Sequence, residues 1–457
     1  MKAFLPYLRL YWLPMTLSGV VMILYFADFF GAVFGLVPHE ETALAIMLLT
    51  TLLWITEPFP LFVTSLGVLV ASILWLMPQL HAAGIAAEQE DFLSTFFNDI
   101  TLLFMGGFTL SAVLNKYGMA RLAAAWMLKR TGERPASILW GIILIAALMS
   151  MWISNTATTA MMFAIIAPLL ARLPEGASFA KAMAIAIPFA ANIGGLGTPI
   201  GTLPNAIAIA YFQRLGLEVT FTQWLLVAVP VTLGLLWVLW RLLLHAFPPG
   251  DLLVQVEAKM DKDPLTPRQY IVIGVFFLTV IGWLTSGSTG MSAGTVGLAS
   301  LFLVFALGLL KIPDFRNIPW DILFMLGGGL CLGLCLTRSG LAATMASAIP
   351  LGGGFWLVFI IIILLTATMT TFMSNTATAN LLIPIAISMP ANELVLIVAI
   401  TLLCSTSMAL PISTPPNAIA FGSGLLQARD MVRVGLRITI IALLVAVLGC
   451  ALYLYVF

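Results

Sequence analysis

Two copies of one pentapeptide decide how this chain is read. SNTAT stands at Ser154–Thr158 inside LIAALMSMWISNTATTAMMFAIIAPLL, and again at Ser374–Thr378 inside IIIILLTATMTTFMSNTATANLLIPIAI. The flanks are apolar enough for the interior of a bilayer, whereas the pentapeptide is small and mostly polar. A backbone that leaves the helix at membrane depth must have its freed N–H and C=O groups satisfied, so it lines a cavity or packs inside protein. Ser, Asn and Thr in succession add a hydroxyl, an amide and a hydroxyl within one turn. Hydroxyl and carbonyl oxygens suit a small hard cation, and the first N–H groups of the helix that follows attract an anion. One such tip can therefore touch both.

The rest of the chain agrees with a membrane setting. Of its 457 residues 61% are hydrophobic and 9% charged, and the mean hydropathy is +1.10. Ordinary soluble domains are far more polar. Apolar runs near 13–30, 43–55, 61–77, 100–114, 182–211, 223–244, 270–284, 293–310, 321–336, 394–422 and 434–457 predict an all-α polytopic membrane protein of about 11 transmembrane helices. Each SNTAT pair is read as a re-entrant hairpin. The alternating short strands of a β-barrel are absent. The amino-terminal MKAFLPYLRLYWLP shows no small-residue cleavage site, so no cleavable signal peptide is expected. With the N-terminus cytoplasmic and the C-terminus outside, only Arg214 and Arg338 of the 20 Lys and Arg residues fall outside, as the positive-inside rule requires.

The halves echo each other beyond the pentapeptide. DITLLFMGGFTLSAVLNKYGMA from Asp99 aligns with DILFMLGGGLCLGLCLTRSGLA from Asp321, and GTPIGTLPNAIAIA with PISTPPNAIAFGSG, which pairs Thr202–Asn205 with Thr414–Asn417. Five crossings per copy, an odd number, predict inverted five-helix repeats, and interrupted helices at matching places in such repeats point to a transporter's binding site. The hydrophilic stretch 247–268 divides the halves.

Other residues take plainer roles. Asp99 and Asp321 are expected to cap helices, and Gly106, Gly107 and Gly327–Gly329 to allow close helix packing. Glu57 is placed at an interfacial turn, and 118–135 along the interface as a basic amphipathic segment. The four cysteines read as small buried hydrophobes. No Asp, Glu, His, Lys or Arg lies within the SNT or TxPN segments, so direct proton coupling there is disfavoured. No acid, base or metal constellation suggests an enzyme or an organic cofactor, and no basic patch suggests nucleic acid.

Twin SNT motifs, each followed by T-x-P-N, together with the ending TPPNAIAFGSG, resemble the divalent anion/sodium symporter family. The resemblance implies a homodimeric elevator-type carrier of C4 dicarboxylates (succinate, malate, fumarate) coupled to Na+ in an inner or plasma membrane. Its scaffold would be 1–136 and 246–354, and its transport domain 137–245 and 355–457. Carried over residue by residue, sodium site 1 would use Ser150, Ser154, Asn155 and the backbone of Gly201. Sodium site 2 would use Thr370, Ser374, Asn375 and the backbone near Ser413. Asn155, Thr156, Thr202, Asn375, Thr376, Thr414 and Pro415 would hold the dicarboxylate. A sodium-independent dicarboxylate exchanger and a sulfate or citrate symporter on the same fold are the alternatives, with a cation/proton antiporter further off. The first loop reads GTLPN where the family often has a second proline.

Overall fold

A computed structural model of the chain describes residues 5–174, 176–250, 264–348, 354–387, 389 and 392–456. Most of the hydrophilic connection, 251–263, lies outside the described residues, as does Lys2. Among the described residues the regular structure is helical, without a strand, and seven helices are long and apolar enough to cross a bilayer. Six further apolar helices of 10–17 residues fall below that length.

In chain order the helices used below are α1 (Pro38–Thr56), α2 (Leu61–Ala82), α3 (Asp99–Lys116), α4 (Met119–Leu128), α5 (Pro135–Ser150) and α6 (Asn155–Leu170). Then come α7 (Ser178–Gly194), α8 (Leu203–Arg214), α9 (Phe221–Ala246) and α10 (Ala293–Ala306). The last are α11 (Trp320–Arg338), α12 (Gly354–Phe372), α13 (Asn375–Ala386), α14 (Glu393–Thr406), α15 (Pro415–Gly422) and α16 (Ala428–Val456).

The chain divides into two compact units. The first comprises Met1–Thr101, Pro319–Ile362 and Thr376–Ile397. Its α1 and α2 are joined at Glu57, whose φ of 44° places a non-glycine residue in the left-handed region and turns the chain before Pro58. Midway along α2 the ladder widens into a π segment, Ser72–Leu76, just ahead of Pro78, which has no N–H to give. The glycines of α11 serve close packing. A Cβ at Gly328 would lie 2.6 Å from the Cα of Ser65 on α2, and one at Gly329 would collide with Asn380. Asp321 sits in the first turn of α11 behind Pro319 rather than at the cap.

The second unit comprises Leu102–Ile318, Ile363–Asn375 and Val398–Phe457. It contains the first SNT, the first interrupted helix, the second interrupted helix from Val398 on, and the SN of the second copy. Asp99, at the foot of α3, likewise follows the capping residue: Asn98 Oδ1 accepts from the N–H groups of Ile100 and Thr101 at 3.0 and 3.1 Å. An acid in the first turn still complements the helix dipole. Farther along, α3 and α10 meet backbone to backbone. A Cβ at Gly106 would lie 2.6 Å from the Gly297 carbonyl oxygen. Gly106→Ala should therefore lower the melting temperature of the purified protein, at a cost of about 1–3 kcal/mol. Gly234→Ala, whose Cβ would meet nothing within 4 Å, should leave it unchanged.

Candidate functional site

At the first SNT, α5 runs out at Ser150 and a short turn leads to Ser154, which opens α6. The extended conformation of Ser154 lets its side chain accept from the Ala157 N–H at 3.3 Å, an ordinary N-cap. Buried Ser150 Oγ donates to Asn155 Oδ1 at 2.5 Å. The turn is held from behind: Trp152 stacks on Phe221, and Phe221 on Trp283, at centroid distances of 6.4 and 5.2 Å.

The interrupted helix supplies the facing wall. α7 ends at Gly194, a single 3₁₀ turn covers Gly195–Gly197, and α8 begins only at Leu203. Asn205 Nδ2 donates to the freed carbonyls of Gly195 and Thr198 at 3.0 and 2.7 Å, and Trp224 Nε1 to that of Leu196 at 3.0 Å. Thr198 Oγ1 donates to the Met151 carbonyl at 2.6 Å, tying the loop to the hairpin. Loop and hairpin meet at Gly195. A Cβ there would sit 3.0 Å from Asn155 Oδ1 and 3.1 Å from the Gly201 carbonyl oxygen. The close approach brings two neutral hard oxygens together, with Asn155 Nδ2 3.4 Å from the same point and Ser150 Oγ one hydrogen bond away, a donor set whose chemistry suits a small hard cation rather than a soft metal. Among the described residues no cluster of His, Cys, Asp or Glu could hold a metal ion.

The second copy repeats these bonds. Buried Thr370 Oγ1 donates to Asn375 Oδ1 at 2.7 Å, the contact of Ser150 with Asn155 moved on by 220 positions. Asn417 Nδ2 donates to the carbonyls of Met408 and Leu410, both at 2.9 Å, as Asn205 does in the first loop. Ser413 Oγ donates to the Thr371 carbonyl at 2.9 Å and accepts from the Leu410 N–H, so its hydroxyl is engaged while its backbone bounds the loop. Ser407 stands where the first loop has Gly195, and its buried Oγ has no hydrogen-bond partner among the described residues. Ser374 precedes α13, partly exposed, and Thr376 is buried in the first turn of that helix, in the other compact unit.

Of the residues expected to hold an anion, Thr202 and Thr414 occupy the N-cap positions of α8 and α15. Pro415 follows, exposed, and Thr156 is exposed in the first turn of α6. Asn192, which the motifs did not single out, joins the groups. Asn155 Nδ2 donates to Asn192 Oδ1 at 3.3 Å, and Asn192 Nδ2 to Thr414 Oγ1 at 3.1 Å. Thr414 in turn accepts from the Asn417 N–H at 3.3 Å. One buried amide thus connects the first hairpin to the second loop. Asparagine inside the apolar run AIAIPFAANIGG was the available signal, since an amide at that depth must find partners.

No group in this set titrates near neutrality. The arrangement offers neutral oxygens for cations and helix N-termini for an anion, and no proton relay.

The chain matches the family described as the sodium:sulfate symporter transmembrane region over residues 12–457. It is 30% identical over 450 residues to the sodium-dependent dicarboxylate transporter SdcS of Staphylococcus aureus, covering 89% of this chain and 84% of that one. It is 29% identical over 398 residues to the inorganic phosphate transporter PHO87 of Saccharomyces cerevisiae, covering 84% of this chain and 43% of that one. An uncharacterized transporter of Schizosaccharomyces pombe is 28% identical over 432 residues, 90% of this chain and 49% of its own. The chain thus spans about half or less of the two yeast relatives. These are transporters, not enzymes, and the chain, multi-pass in its apolar helices, belongs to the sodium:sulfate symporter family, the divalent anion/sodium symporters.

Proposed function

We propose that this protein imports C4 dicarboxylates such as succinate, malate or fumarate together with Na+. The observation that carries this is the pair of hydroxyl–asparagine contacts, Ser150 with Asn155 and Thr370 with Asn375, each beside a helix start and none accompanied by a charged side chain. Anionic substrate in a site without lysine or arginine is costly to hold in low dielectric. Cations at the two oxygen sets offset that cost, which makes uptake depend on sodium rather than merely tolerate it. Helix N-termini at Asn155, Leu203, Asn375 and Pro415 add partial positive charge for the carboxylates. The dicarboxylate would lie against Asn155, Thr156, Thr202, Asn375, Thr376, Thr414 and Pro415.

A re-entrant first hairpin within an inverted repeat is supported by length, since α5 and α6 have 16 residues each, about 24 Å of helix, less than a hydrocarbon core of about 30 Å, whereas in the second copy α12 with 19 residues is long enough to cross. On this reading 137–245 and 355–457 move as an elevator against a scaffold of 1–136 and 246–354, in a homodimer within an inner or plasma membrane. The amino end is cytoplasmic and the carboxyl end outside. The phosphate transporter among the relatives favours one second reading, a tetrahedral oxyanion as cargo.

Uptake of labelled succinate into proteoliposomes, with and without an inward sodium gradient, tests this. Sodium-dependent uptake is expected, with Ser150→Ala and Thr370→Ala each raising the sodium concentration for half-maximal rate by about tenfold, as for loss of one buried polar contact. Sodium-independent uptake that requires internal dicarboxylate would make the protein an exchanger and remove the cation sites. Uptake competed better by phosphate or sulfate than by succinate would install the oxyanion.

A further inference from the structure

The second compact unit carries a cleft of about 580 Å3 that the transport site does not use. It lies between α4, the amphipathic helix, the start of α5 and the last turns of α9. Trp126, Trp140 and Trp240 line it, together with Arg130 and the apolar Leu144. The Arg130 guanidinium lies 3.8 Å from the centroid of Trp126, and that of Arg241 lies 5.9 Å from Trp240. Trp140 and Trp240 stand 5.6 Å apart, and Trp240 Nε1 donates to the Ala136 carbonyl at 2.9 Å, which fixes the rim.

Depth follows from the helix that contributes Trp240. It sits six residues before the end of α9, an apolar helix of bilayer length, so the cleft is at the level of the lipid headgroups. Tryptophan and arginine together are the side chains suited to that layer. Charge selects among lipids. Among the described residues, neither Arg130 nor Arg241 has a carboxylate within salt-bridge distance. Arg121, Lys129 and Arg134 stand near Arg130 in the sequence, with Glu133 as the one acid between 119 and 134. Arg130 in the lining, without a carboxylate partner, suits a phosphate, and no acidic side chain lines the cleft to receive the ammonium of a zwitterionic headgroup. A free phosphate ion would have no use for the apolar lining.

We propose that this cleft is a binding site for an anionic phospholipid, its phosphate at Arg130 with the charge of Arg241, next in the chain to Trp240, reinforcing it, its glycerol against the tryptophans and one acyl chain along Leu144. The occupant would rest on α5, whose other end carries Ser150, about ten residues or 15 Å farther on. The inference does not depend on which anion the protein carries.

Native mass spectrometry of the purified full chain, titrated with phosphatidylglycerol and phosphatidylcholine, tests it. The wild type should retain one phosphatidylglycerol in preference to phosphatidylcholine. Arg130→Gln with Arg241→Gln should reduce that preference by about tenfold. Arg130→Lys should keep most of it, and Arg268→Gln, which removes an exposed charge elsewhere, should change nothing. Equal retention of the two lipids by the wild type would overturn the proposal. So would a double variant that keeps the preference, a loss as large in Arg268→Gln, or displacement of the lipid by millimolar inorganic phosphate.

Discussion

Gly195→Ala is expected to raise the sodium concentration needed for half-maximal uptake by about 10- to 100-fold, the free energy of one methyl forced into a filled site. The new carbon would stand 3.0 Å from Asn155 Oδ1 and 3.1 Å from the Gly201 carbonyl oxygen, in the gap those two atoms bound. Gly201→Ala should be worse, because its Cβ would press directly on the Gly195 carbonyl. The second loop supplies the internal control. Ser407 already carries a side chain at the position corresponding to Gly195, so that loop is built around a Cβ, and Ser407→Ala should cost far less than Gly195→Ala. Sodium titrations of succinate uptake, with melting temperature measured in parallel, separate a blocked cation site from a damaged fold. Wild-type sodium dependence in a stably folded Gly195→Ala would mean that Asn155 and Gly201 do not share an ion.

The glycine could not be found from the sequence, and the reason is instructive. Motif spacing shows which residues recur, so Asn155 and Asn375 were legible from the repeated SNT, whereas Ser150 and Thr370 came only from the family resemblance. Each hydroxyl–amide contact spans five residues of local chain, and local geometry is what a short motif encodes. What approaches that turn from another helix is not encoded in spacing. Asn192 on α7 and Gly195 in the turn just after it reach the first hairpin 37 or more residues on, and the packing of α5 against α7 brings them there. Ser154 shows the opposite limit. The resemblance assigns it to a cation, and in the fold its hydroxyl also accepts from the Ala157 N–H, the local bond that serine at a helix start commonly makes. Helix packing was read correctly from Gly328 and Gly329 because glycine at a crossing has few other uses, whereas Asp99 was misplaced by one residue because Asn98 is the better cap.

Asn192→Ala should weaken the link between sodium and substrate more than it weakens either alone. Its amide is the bridge from Asn155, in the first proposed cation set, to Thr414, at the head of the second interrupted loop and proposed to hold substrate. Removing it leaves the Asn155 Nδ2 and Thr414 Oγ1 atoms short of a buried partner, at a cost of about 1–3 kcal/mol, or about 10- to 100-fold in the equilibrium that uses them. If the bridge transmits order from one loop to the other, sodium lowers the succinate KM of the wild type markedly and that of Asn192→Ala hardly at all. The measurement is a cycle: succinate KM at limiting and saturating sodium for the wild type, Asn192→Ala, Ser150→Ala and the double variant. Ser150 and Asn192 act on opposite sides of Asn155, so their effects on the sodium-induced change in KM should be strongly non-additive. A purely structural asparagine would instead lower both affinities or the melting temperature, leaving the ratio of KM values across sodium concentrations intact. The distinction matters because the cation set and the loop share no charged group. With electrostatic attraction confined to the bound ions themselves, a hydrogen-bonded side chain that both loops need is the remaining physical means by which occupancy of one can position the other.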